Sequence, residues 1–151
     1  MIVNPSPDLK LERIESLKAG ILAALCLTIS YSLLTLAHKL LLPFEPLAAL
    51  QITSMSSFGL KVAIAFISGF LFGITYRYVI REEHNSHLSE GAVLAFGIVR
   101  GLALVEATPD LIGSFWVLSI LGIESILYFT TARLVLDWAI RMEWLKPFKS
   151  N

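Results

Sequence analysis

The sequence predicts an all-α integral membrane protein: one helical bundle of four transmembrane helices with both termini on the cytoplasmic or stromal side. Three observations carry this. The 151 residues are 56% apolar with a mean hydropathy of +0.72. Four windows approach the ~20 apolar residues that cross a bilayer. Basic residues gather on one side of those windows. Charged residues make up 16% of the chain, against about 25% in ordinary soluble domains. Twelve basic residues balance 12 acidic ones, so no excess of positive charge points to nucleic acid. A single cysteine excludes a disulfide scaffold. The lipid bilayer is the first partner the composition requires.

The chain opens with an amphipathic lead-in over 7–18, where Leu9, Leu11, Ile14 and Leu17 alternate with Lys10, Glu12, Arg13 and Glu15. Ser6 is placed to cap it, with Pro7 at the first helical position, where a missing N–H costs nothing. Helix one covers about 19–42: Ala19 to Ala37 holds no charge, and His38 and Lys39 mark its exit. This run is longer than a signal-peptide core and lacks an A-x-A site, so it reads as a signal anchor. Pro43 and Pro46 end the helix, since each removes a donor and restricts the residue before it. The following LAALQITSMSSFG suits a short interfacial helix.

Helix two covers about 58–80, with Lys61 and Arg77 extending their stems toward the two interfaces. Arg81 to Glu90 is an aqueous loop. Helix three, about 91–107, is short and carries Arg100 near its middle; the alternative to a full span is a re-entrant or interfacial helix. Thr108-Pro109-Asp110 forms a tight turn. Helix four, about 111–136, is long enough to tilt and carries Glu124 near its centre and Arg133 near its end. Beyond it, 137–148 suits a helix leaving the membrane or lying on its surface, ended by Pro147. Tyr76, Tyr78, Phe115, Trp116, Trp138, Trp144 and Phe148 fall at interface-anchor positions.

Lys10, Arg13 and Lys18 precede helix one, Arg77 and Arg81 follow helix two, and Arg141, Lys146 and Lys149 follow helix four. The opposite side has Lys39 and Lys61. Positive charge is retained in the cytoplasm, which places both termini there and requires an even number of crossings.

Helices in lipid associate through small residues that let backbones approach. Helix two offers Ala65, Gly69 and Gly73 at four-residue spacing, and helix three offers Gly97 and Gly101. The two stripes are expected to pack on each other; the alternative is that one of them meets a partner protein.

A charge in the bilayer core costs about 2.5–3.5 kcal/mol on insertion scales, so it normally faces a partner. Arg100 lies about 13 Å from the cytoplasmic start of helix three, and Glu124 about 20 Å from the opposite entry of helix four. In a core about 30 Å thick those depths coincide. The expected arrangement is an intramembrane charge pair, Arg100 with Glu124, with a relay, substrate or partner site as the alternative. Glu106 and Arg133 make secondary polar contacts near the two surfaces, Arg133 within reach of Glu82, Glu83 or Glu90.

His84 and His87 are too few for a metal site, which needs three or four ligands. His38 is better read as solvated than as an axial ligand to a tetrapyrrole. Cys26 reads as a small buried hydrophobe. No metal or cofactor is expected. No nucleophile, zinc-protease, CxxC or phosphate-loop motif is present in the sequence, so an enzyme is not expected.

The stretches SGFLFGITYRYVIR (68–81), HLSEGAVLAFGIVRGLA (87–103) and LDWAIRMEWLKPF (136–148) resemble small integral membrane proteins of cyanobacteria and plastids. The resemblance covers about the last two-thirds of the chain. It implies a thylakoid or cytoplasmic-membrane protein accessory to the assembly of a photosynthetic complex, and it assigns no ligand to any residue. Two functions follow as expectations: a non-enzymatic accessory or assembly subunit in contact with other membrane proteins, or a small oligomeric transporter or channel using Arg100 and Glu124.

Overall fold

The computed structural model describes residues 7–41, 55–80, 86–106 and 115–147. Their secondary structure is helical: α1 (Pro7–Leu41), α2 (Met55–Val79), α3 (Ser86–Glu106) and α4 (Phe115–Arg141). Each contains a segment long and apolar enough to cross a membrane: Leu9–His38, Phe58–Val79, His87–Leu104 and Leu118–Arg141. The chain is thus an integral, multi-pass membrane protein. Large apolar side chains point outward along all four helices, among them Leu33, Ile67, Val99 and Leu134. In water that surface would be an aggregation liability, whereas lipid solvates it.

Pro7 opens α1 as its position in the sequence suggests, and no break separates the lead-in from the apolar run. Serine at 86 starts α3 five residues earlier than hydropathy alone places it, because SHLSE (86–90) contains nothing that stops a helix. Residues 47–54 of the expected interfacial segment, the Thr108-Pro109-Asp110 turn, Ser6, Glu82, Glu83 and His84 lie outside the described residues, while 55–59 form the start of α2.

The small-residue stripes do not meet each other as the sequence suggests. Gly69 and Gly73 lie on α1: a Cβ on Gly73 would fall 2.3 Å from the Ala19 carbonyl oxygen, and one on Gly69 would fall 2.8 Å from that of Ala23. Gly97 and Gly101 lie on α4, where the same construction meets Ile126 at 2.8 Å and the Gly122 Cα at 3.0 Å. The bundle is therefore two antiparallel hairpins, α1–α2 and α3–α4. The receiving surface of the first is the run Ala19, Gly20, Ala23 and Ala24, itself small residues one turn apart. Each stripe is thus used within its own hairpin.

The hairpins join through α1 against α4 and through a triangle of rings. Phe72, Phe96 and Phe129, from α2, α3 and α4, stand 5.1–5.6 Å apart. Around them Ala23, Leu27, Tyr76, Ala132 and Leu136 form the core, with Cys26 half-buried at its edge.

α4 stops at Arg141, six residues before Pro147. Glu143 adopts the left-handed conformation at φ 59°. Its N–H bonds the Ile140 carbonyl at 3.1 Å, and the Trp144 N–H bonds that of Ala139 at 3.0 Å. This is a Schellman turn, closed by Trp144 packing edge-on to Trp138. The helix thus continues into the first residues of the segment 137–148, as far as Arg141, and then reverses, tucking Leu145 into the core.

Candidate functional site

Two arginines are buried among the helices, and their surroundings differ. Arg77, near the end of α2, is 1% exposed. Its Nε donates to the Lys146 carbonyl at 2.9 Å, and its Nη1 donates to Ser16 Oγ at 2.7 Å and to the Glu12 carbonyl at 3.0 Å. Its Nη2 donates to Glu12 Oε2. The sequence suggests a snorkelling Arg77; the structure turns it inward instead, because α1 and the residues after α4 supply acceptors on both sides.

Nearby, the Lys146 N–H donates to Glu15 Oε2 at 3.1 Å, and Glu15 also pairs with Lys18 at 2.7 Å. Tyr76, expected at the interface, is buried and donates to Asp137 Oδ1 at 2.7 Å. Arg133 lies 3.6 Å from Asp137 and 4.0 Å from Glu90. At those distances the contacts are charge proximity rather than hydrogen bonds. These contacts bring the start of α1, the end of α2, the start of α3 and the end of α4 together, so the two terminal segments share one end of the bundle.

The second arginine sits in the opposite half. Gly101 against Gly122 and Gly97 against Ile126 fix the α3–α4 register so that Arg100 and Glu124 lie at nearly the same level. The matched depth holds, yet the expected pair is not made. Glu124 Oε1 stands 3.3 Å from Nε2 of His38 on α1, and no ion pair of the described residues joins Glu124 to Arg100. His38, expected in solvent, is thereby drawn against the bundle. Spacing along a helix fixes height; direction around its axis depends on packing, and the two side chains leave their helices toward different neighbours.

Arg100 is 7% exposed. Its guanidinium lies 5.9 Å from the centre of the Tyr31 ring, and its Nη1 stands 3.4 Å from Ser68 Oγ, which itself donates to the Ile64 carbonyl at 2.7 Å. Its Nε has no partner among the described residues. Tyr128 packs edge-on to Tyr31 at 6.2 Å between centroids, and these two rings are the electrostatic neighbours of Arg100. One turn before Tyr128, Ser125 is completely buried with its hydroxyl unpartnered among the described residues. All four helices thus contribute to a polar cluster of Tyr31, His38, Ser68, Arg100, Glu124 and Tyr128. Sequence reading selected two of its members. Tyr31 and Tyr128 passed as ordinary membrane aromatics, because nothing in their spacing announces that they face one arginine.

Glu106 is exposed at the end of α3. Among the described residues no three potential ligands gather as a metal site would need. Compared with known proteins, the chain matches no family model, no curated protein and no solved structure.

Proposed function

We propose that this chain is a non-enzymatic accessory or assembly subunit of a larger membrane complex. One observation carries the reading. With Gly97 and Gly101 occupied by α4, α3 presents a second face outward on which the small residues Gly91, Ala95 and Ala103 stand with Val99 between the last two, four residues apart and all exposed. A face where a neighbouring backbone can approach closely suits docking of another transmembrane helix, since packing at small residues is what associates helices in lipid. The resemblance of 68–81, 87–103 and 136–148 to small membrane proteins of cyanobacteria and plastids supports a photosynthetic complex, and with it the thylakoid membrane. The test is purification of the tagged protein from its native membrane in mild detergent. The reading expects a large assembly with reproducible protein partners. A colourless homo-oligomer without partners would overturn it.

A second reading, a small oligomeric transporter or channel, is favoured by Arg100, a cation inside the bundle with no carboxylate of the described residues against it. Substrate paths through membranes are commonly marked by such charges. Solute flux in proteoliposomes, lost on Arg100→Leu, is its test.

A further inference from the structure

The two buried arginines supply a comparison within one molecule. Each guanidinium has five N–H donors. Arg77 makes four contacts with acceptors, a carboxylate among them, whereas Arg100 makes one hydrogen bond, at 3.4 Å, to a serine. One more polar group nearby, the completely buried hydroxyl of Ser125, has no partner among the described residues. The Tyr128 ring is one of the groups nearest Arg100 in electrostatic effect, and Ser125 is one turn away on the same helix. Glu124, at this level, faces His38. No ion pair of the described residues places a carboxylate against Arg100, so its charge is without a counter-ion there.

A site rich in donors, poor in acceptors and carrying one uncompensated positive charge is complementary to an anion. We propose that Arg100, together with the Tyr128 hydroxyl and with Ser125 beside it, binds a small monovalent anion of the chloride class inside the bundle. Water satisfies a donor but leaves the charge uncompensated. A phosphate dianion would bring an excess negative charge, and burial of the arginine to 7% exposure favours a small ion over a bulky one. This inference is independent of the accessory-subunit reading.

The experiment uses the full-length protein in detergent micelles with chloride as the probe. Chlorine-35 NMR line broadening is recorded, along with thermal unfolding in chloride and in gluconate at equal ionic strength. The wild type is expected to broaden the chloride line, to lose that broadening on addition of bromide, and to melt several degrees higher in chloride, as mass action requires of a ligand that binds only the folded state. Arg100→Gln should abolish both effects, and Tyr128→Phe should weaken chloride binding about 10- to 100-fold, the loss of roughly one hydrogen bond to a charged group. Should Arg100→Gln fail to fold, Tyr128→Phe and Ser125→Ala carry the test. Broadening unchanged in these variants, or absent from the folded wild type, would overturn the proposal. So would a wild type insensitive to chloride that becomes sensitive on Glu124→Gln, since Glu124 would then be the counter-ion of Arg100.

Discussion

Replacing Arg77 tests whether the terminal end of the bundle is held by one side chain. Its guanidinium bonds two acceptors on Glu12, the hydroxyl of Ser16 and the carbonyl of Lys146, so three separate parts of the chain depend on it. Removing one partner of a buried ion pair costs about 3–5 kcal/mol, because the other polar groups stay buried without compensation. The Glu12 side chain is 26% exposed, and water can reach part of what Arg77 leaves. The lower figure therefore applies, and Arg77→Met should destabilise the protein by about 3 kcal/mol. Arg77→Lys keeps the charge, but an ammonium has three donors on a single point and cannot fork between α1 and the Lys146 carbonyl; about 1.5–2 kcal/mol should be lost. Equilibrium unfolding in mixed micelles, followed by Trp fluorescence, measures both. The same variants should also expose the segment after Arg141 to protease while the helices remain intact. An Arg77→Met protein within about 0.5 kcal/mol of wild type, the range of an ordinary surface change, would refute the argument.

Gly73→Ala should destabilise by about 1–3 kcal/mol, because its Cβ would lie 2.3 Å from a backbone oxygen of α1. Gly91→Ala, whose Cβ meets nothing within 4 Å, should leave stability unchanged or raise it by up to about 1 kcal/mol; thermal melts of the two variants check the contrast. Glu143→Gly should stabilise by about 1 kcal/mol, since glycine adopts the left-handed turn after α4 without the strain an L-residue bears, and the same melts read it. In double-mutant cycles on membrane accumulation, His38→Leu with Glu124→Leu should be non-additive, as expected of groups 3.3 Å apart. Arg100→Leu with Glu124→Leu should show no comparable rescue; mutual rescue of that second pair would restore the direct ion pair.

The four helices were legible because lipid imposes a length and a composition that any 20-residue window reveals. The start of α1 at Pro7 was legible too, and so was the common level of Arg100 and Glu124, because both follow from counting residues along an axis. Contacts that depend on direction around the axis were not. The glycines of α2 and α3 were recognised as packing residues, but their partners were Ala19, Ala23, Gly122 and Ile126, and a small-residue pattern carries no address. Ala19 and Ala23 did offer a signal, one turn apart on α1 and complementary to the α2 stripe. Arg77 was misread because a basic residue near a helix end ordinarily reaches water. Its acceptors, Glu12 and Lys146, lie 65 and 69 residues away in sequence, and no local pattern could have brought them there. The turn after Arg141 was hidden because a left-handed glutamate stands where glycine would have announced it.

The central claim is that the outward face of α3 receives a transmembrane helix of another protein. The most direct measurement is photocrosslinking in the native membrane from benzoylphenylalanine placed at Ala95, compared with the same group at Leu36 on the outer side of α1. Crosslinking at Ala95 to a discrete protein band absent from Leu36 is the predicted result. Lipid adducts alone at both positions would contradict it.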